Sequence, residues 1–192
     1  PAVLTATLFD EEGVARFVAQ VLQGQEVAND APAIPDDWAS VTWSGTKFYG
    51  RELFHGPAFA AIESVDLIGE NGAQATLVGS NALDWRDDGW AIDPALIDAG
   101  LQLARVWGVE RLHQLTLPTS VKELTLSHSG LIDADARVRC IVRGETIGQA
   151  GTRTDLWFVD EASGATMAEI RGLEMYVSSE QPISEEATAD AL

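Results

Sequence analysis

The segment DPALIDAGLQLARVW, residues 93–107, carries the strongest helix signal in the chain. Asp93 suits the N-cap, and Pro94 suits the first helical position, where no backbone N–H is needed. Nothing interrupts the run before about Trp107. With Pro94 at angle zero and about 100° per residue, Asp98 falls near 40°, Gln102 near 80° and Arg105 near 20°. Leu96, Ile97, Leu101, Leu103, Ala104, Val106 and Trp107 fill the rest of the circle. One narrow polar stripe therefore crosses an otherwise apolar helix. The stripe has two readings. It faces water, as on an ordinary amphipathic helix. Or it lines a cleft and presents a carboxylate and an amide, one turn apart, to a substrate. The helix dipole favours a negative charge at Asp98, whereas burial favours the neutral acid that can donate a proton.

Strand patterns surround this helix. Ala60–Ile68 and Ala73–Gly79 alternate about the turn Gly69-Glu70-Asn71-Gly72. Leu53 to Pro57 is a loop, and residues 84–90 (DWRDDGW) form a polar turn. After the helix come Leu115–Leu126, Arg137–Arg143, Thr152–Asp160 and Thr166–Val177, the last two joined by the turn Glu161-Ala162-Ser163-Gly164. A strongly apolar helix among many antiparallel strands needs a curved sheet wrapped around it. That is the hotdog fold, of the α+β class. Ahead of it, residues 2–9 (AVLTATLF) read as a strand. Asp10 caps an expected helix to about Leu22, with Val14, Phe17, Val18 and Val21 on one side. Residues 24–40 read as a linker. The expected organisation is an N-terminal strand-helix extension and linker (1–45), a hotdog domain (46–177) and an acidic tail (178–192).

Composition narrows the function. The 192 residues make one ordinary domain or two very small ones. Twelve basic residues against thirty acidic ones give a net charge of −18. Such a surface repels phosphate backbones and anionic lipids, so neither nucleic acid nor membrane is an expected partner. No apolar run approaches the roughly 18–20 residues of a membrane span. Cys140 is the single cysteine, which excludes an intrachain disulfide and a thiolate zinc cluster and fits a reducing, cytoplasmic compartment. No metal site is expected. The chain begins at Pro1 without a methionine, which raises the expectation of a piece cut from a larger polypeptide, although a processed terminus would look the same.

Four segments, in order, resemble one family. DPALIDAGLQ (93–102) resembles the HPALLDAALQ signature of polyketide synthase dehydratase domains. LFHGPAF (53–59) looks like the YGPxF motif, in a spelling similar to iterative and polyunsaturated-fatty-acid-type synthases. LPTSVKEL (117–124) resembles LPFSWxGV, and GATMAEIRGLEMYV (164–177) resembles the closing strand. The resemblance runs roughly from Phe48 to Val177. In that family two hotdogs usually stand in tandem. The first carries a catalytic histidine in HxxxGxxxxP, and the second carries an aspartate in Asp-x-x-x-Gln/His on its helix. This chain matches the second, C-terminal half, and HxxxGxxxxP occurs nowhere in it.

The resemblance implies removal of water from a 3-hydroxyacyl thioester carried on the phosphopantetheine of acyl carrier protein, giving the enoyl product. No other cofactor is implied. Asp98 falls on the catalytic acid and Gln102 on its helix partner. His55 falls where the family often has tyrosine, beside the active site, and Asp93 replaces the usual histidine of the helix-start signature. Phe54, Gly56, Pro57, Phe59 and Pro118 are the implied substrate-binding residues. The base could come from a histidine hotdog elsewhere, or from His55 brought to the Asp98 cleft in a homodimer. Implied partners are acyl carrier protein and neighbouring synthase domains. Two alternatives stay open: a catalytically degenerate module for dimerisation or acyl binding, and a hotdog acyl thioesterase.

Overall fold

The computed structural model describes residues 3–22, 24, 30–86 and 89–178. Two strands, β1 (Val3–Phe9) and β2 (Ala15–Leu22), form a hairpin of their own. Strand β3 (Ala39–Ser44) and a single helical turn α1 (Gly45–Phe48) follow. Then come β4 (Ile62–Gly69), β5 (Gly72–Leu77) and the long helix α2 (Pro94–Leu112). The chain continues through β6 (Thr116–Ser120), β7 (Glu123–Leu126), β8 (Val138–Ile147), β9 (Gly151–Asp160) and β10 (Thr166–Val177). The main sheet is open and antiparallel, in the order β3-β4-β5-β8-β9-β10-β6, with β7 also on β10.

Helix α2 packs on β4, β5, β6, β8 and β9, which is the expected sausage-in-a-bun arrangement. Leu103, Trp107, Leu77, Leu156, Phe158 and Leu173 are fully or almost fully buried between helix and sheet. Each such side chain contributes about 1.5–3 kcal/mol of burial. The approach is close. A Cβ placed on Gly100 would lie 2.3 Å from Cζ of Phe158, so only glycine lets the helix settle at this height. The helix runs past the expected end near Trp107 to Leu112, because Gly108 does not stop it. His113 ends it in the left-handed conformation (φ 54°).

The start of α2 is anchored by the expected cap. The Asp93 carboxylate accepts the Ala95 and Leu96 backbone N–H groups at 3.2 and 3.4 Å. It also accepts the Ser80 N–H at 3.0 Å, the Ser80 hydroxyl at 2.7 Å and the Ile132 N–H at 3.2 Å. Asp93 thus joins the helix to the short turn Ser80–Leu83 and to the chain before β8.

Three expectations change. Residues 15–22 form a strand, so the expected helix from Asp10 to Leu22 is instead the second strand of a hairpin. Asp10 stabilises the turn, accepting the Glu12 and Val14 N–H groups at 3.0 and 2.8 Å and the Arg16 Nε–H at 2.7 Å. Gly13 supplies the positive φ the turn needs (79°). Phe17, Val18 and Val21 fit a helical spacing, yet aromatic and β-branched residues favour the strand, and Leu8 and Leu4 stand opposite Phe17 and Val21. Second, β3 belongs to the main sheet through β4, so the sheet begins at Ala39, inside the expected linker and ahead of residue 46. Third, the expected strand 115–126 is two strands. The break at Val121-Lys122 faces an irregularity in β10 at Gly172 (φ 59°), where the Lys122 N–H reaches the Arg171 and Gly172 carbonyls. The acidic tail lies outside the described residues, apart from Ser178.

Asp93→Ala leaves the buried Ser80 and Ile132 N–H groups without this acceptor and removes the cap. A loss of about 3–5 kcal/mol is expected in urea unfolding of the whole chain. Phe17→Ser, on the exposed hairpin, is expected to cost under about 1 kcal/mol in the same measurement.

Candidate active site

Two segments meet at Asp98. One is the second turn of α2. The other is the loop from Tyr49 to Phe59, held by the fully buried Leu53 and by the 3-10 turn Pro57–Phe59. The loop sits against the helix because Phe48 and Leu53 enter the core while Phe54 and Phe59 stay exposed, at 72% and 45%.

Gln102 is 2% exposed and every polar atom of its amide is engaged. Its Nε2 donates to Asp98 Oδ2 at 2.6 Å and to the Phe59 carbonyl at 3.0 Å. Its Oε1 accepts the Tyr49 hydroxyl at 2.7 Å. The Tyr49 oxygen in turn accepts the Ile62 N–H at 3.0 Å. That backbone donor uses the oxygen as acceptor and leaves the hydroxyl proton for Gln102. Gln102 must therefore turn its NH2 towards Asp98. Burial, helped by the nearby Asp98 charge and opposed by the backbone hydrogen bonds, pushes the Tyr49 phenol up to about 12. It stays a donor at any ordinary pH.

His55 Nε2 lies 3.9 Å from Asp98 Oδ2. The imidazole stacks on Phe54, ring centroids 4.4 Å apart and planes 18° apart, and Phe59 flanks it at 6.4 Å. Burial pushes its pKa below the ordinary 6.5; Asp98 pulls it up and Arg105 pushes it further down. The Asp98 side chain is 35% exposed, and the rings of Phe54 and Phe59 on the same loop as His55 are exposed too. The first reading of the stripe, a face turned to water, is overturned: Gln102 and Arg105 are both buried.

The expected residues are thus brought together in large part. Asp98, Gln102, His55, Phe54 and Phe59 form one contact network. Gly56 and Pro57 build the 3-10 turn that presents Phe59, and the Phe59 N–H returns to the Gly56 carbonyl at 2.9 Å. Pro118 is different. It sits exposed on edge strand β6 opposite Met175, and the hydrogen bonds and ring contacts that join the others do not include it. Trp85 supports the loop, packing edge-on to Phe59 at 5.0 Å and donating to the Ala58 carbonyl at 2.7 Å. Asp93, which takes the place of the family's histidine, is a buried structural acceptor. Tyr49 was missed by sequence reading. Nothing in its spacing relative to Asp98 points to Gln102, 53 residues away.

An antiparallel sheet over one long helix that carries Asp-x-x-x-Gln defines a hotdog domain of the dehydratase type. Residues 26–185 match the family model described as polyketide synthase dehydratase N-terminal domain, and the chain belongs to the polyketide synthase dehydratase family. That description names an N-terminal domain, whereas the expectation from the motifs is the C-terminal hotdog. No curated protein matches the chain.

Solved structures share the fold. The dehydratase domain of a mycocerosic acid synthase-like polyketide synthase has a TM-score of 0.67 and 22% identity, over 91% of this chain and 62% of that one. The dehydratase domain of RzxB from Pseudomonas fluorescens has a TM-score of 0.66 and 17% identity, over 89% and 62%. The dehydratase domain from the CurJ module of the curacin polyketide synthase has a TM-score of 0.59 and 18% identity, over 79% and 55%. The match therefore spans about three-fifths or less of these dehydratases. No helix among the described residues is long and apolar enough to cross a membrane.

Tyr49→Phe removes the group that orients Gln102 and strips the Ile62 N–H of its acceptor. The Gln102 side-chain NH2 is expected to lose its protection against hydrogen exchange. Urea unfolding is expected to show a loss of about 1–3 kcal/mol.

Proposed function

We propose that this chain is the aspartate-bearing, C-terminal hotdog of a polyketide or polyunsaturated fatty acid synthase dehydratase. Its substrate is a 3-hydroxyacyl thioester on acyl carrier protein and its product the enoyl thioester. A homodimer in the cytoplasm, beside other synthase domains, belongs to the same reading. The observation that carries it is the Asp98 carboxylate, held on one oxygen by Gln102 and facing the His55 imidazole at 3.9 Å.

The reaction needs a base for the proton alpha to the carbonyl and an acid for the departing hydroxyl, each within hydrogen-bond reach of its own proton. Gln102 occupies Oδ2 of Asp98 and leaves Oδ1 for the substrate hydroxyl. Protonated Asp98 gives its proton as the C3–O bond breaks, and water leaves. Neutral His55 takes the C2 proton, and the C–H electrons become the C2–C3 double bond. A proton passed from His55 back to Asp98 resets the pair. Phe54 and Phe59 offer apolar surface to the acyl chain.

A second reading places the base on a histidine-bearing hotdog of another chain or module. The lack of HxxxGxxxxP in this sequence favours it.

A 3-hydroxyacyl thioester, offered with and without the neighbouring synthase domains, tests both. Asp98→Asn is expected to lower enoyl formation by about 10²-fold or more. His55→Gln is expected to do the same; an unchanged rate assigns the base elsewhere. The depressed His55 keeps its proton-accepting form below pH 6.5, so the acid limb of the rate profile is expected below that value. No enoyl product from the wild type, even with the neighbouring domains present, removes the catalytic reading. Free thiol released from an acyl-CoA instead would mark a thioesterase.

A further inference from the structure

Arg105 is the unexplained member of the polar stripe. Its residue exposure is 6%, and its Nε is buried without a hydrogen-bond partner. Other arginines of this acidic chain pair with carboxylates: Arg16 with Asp10, Arg137 with Glu63, Arg153 with Glu174 and Arg171 with Asp155. No carboxylate among the described residues forms an ion pair with Arg105. A buried donor without a partner is costly, and a helix core position is more cheaply filled by leucine or methionine. What the guanidinium does contact is the ring of Phe54, with Cζ 5.1 Å from its centroid. The same ring stacks on His55 at 4.4 Å.

We propose that Arg105 is a positioning residue for His55: its guanidinium, braced within the core, holds Phe54 and through it the imidazole in place opposite Asp98. The inference rests on reading His55 as the proton acceptor. Planar guanidinium on an aromatic face is a favourable and directional contact. Phe54 is otherwise exposed on a loop, and an exposed ring on a loop has no reason to keep one orientation. Arg105 gives it one. The uncompensated charge has a second effect. His55 faces one carboxylate, Asp98, which favours the imidazolium; Arg105 is the cation that opposes it, in the same direction as burial. Tyr49, the remaining titratable neighbour of Asp98, stays neutral. A base that stood beside Asp98 without such a cation would hold a proton more readily and accept one from substrate less readily.

The test is the titration of His55, followed by NMR of the imidazole in the whole chain, in the wild type, Arg105→Lys and Arg105→Met. Arg105→Met is expected to move the His55 midpoint to higher pH, and Arg105→Lys to keep it near the wild-type value. An unchanged midpoint in Arg105→Met overturns the proposal, whatever happens to thermal stability. Should Arg105→Met fail to fold, Phe54→Leu removes the stack and leaves the charge. The His55 ring signals are then expected to show exchange between orientations, and a single unaltered orientation overturns the proposal. None of these readouts needs turnover. A shifted midpoint in Arg105→Met together with a freed ring in Phe54→Leu, in a protein that forms no enoyl product even with the neighbouring synthase domains present, would uphold the positioning role and refute the dehydratase reading. An unshifted one in an active enzyme would do the reverse.

Discussion

Helix α2 is buried on most of its circumference, so a polar side chain on its buried face either finds a partner inside the protein or, like Arg105, stays without one. An amide or hydroxyl left without one in such surroundings costs about 2–7 kcal/mol, and a charge costs more. Asp93 meets the demand by collecting N–H groups from three separate segments. Gln102 meets it by spending its amide on Tyr49, Phe59 and Asp98. The rest of the site is a consequence. The loop from Tyr49 to Phe59 must lie against α2 because it supplies these partners. His55 comes to Asp98 because it rides on that loop.

Asp98 is the exception that makes chemistry conceivable. It is the member of the stripe that keeps substantial exposure, with Oδ2 engaged by Gln102. Its surroundings divide the labour. One hydrogen bond from the helix side, from Gln102, holds the carboxylate, while aromatic rings from the loop side offer an apolar surface.

The N-terminal hairpin follows a different logic. Leu4, Leu8, Phe17 and Val21 are each at least half exposed, and their register places them on one face with Ala6 and Ala19. Period-two alternation in ARFVAQVL coincides with a helical spacing over eight residues, and the sequence offers no tie-breaker except β-propensity and the Asp10–Gly13 turn. A short segment with both periodicities is where pattern reading fails.

By itself the sequence determined the long helix, its Asp93 cap, its polar stripe, most strands around it and the family motifs. These depend on local periodicity, capping and turn chemistry, which are written within a few residues of one another. Only the tertiary structure decided which way the stripe faces, that Tyr49 orients Gln102, and that Arg105 lies under Phe54 without a counter-ion. Those contacts span about fifty residues of chain, and no local rule fixes which side chains meet once helix and loop have packed.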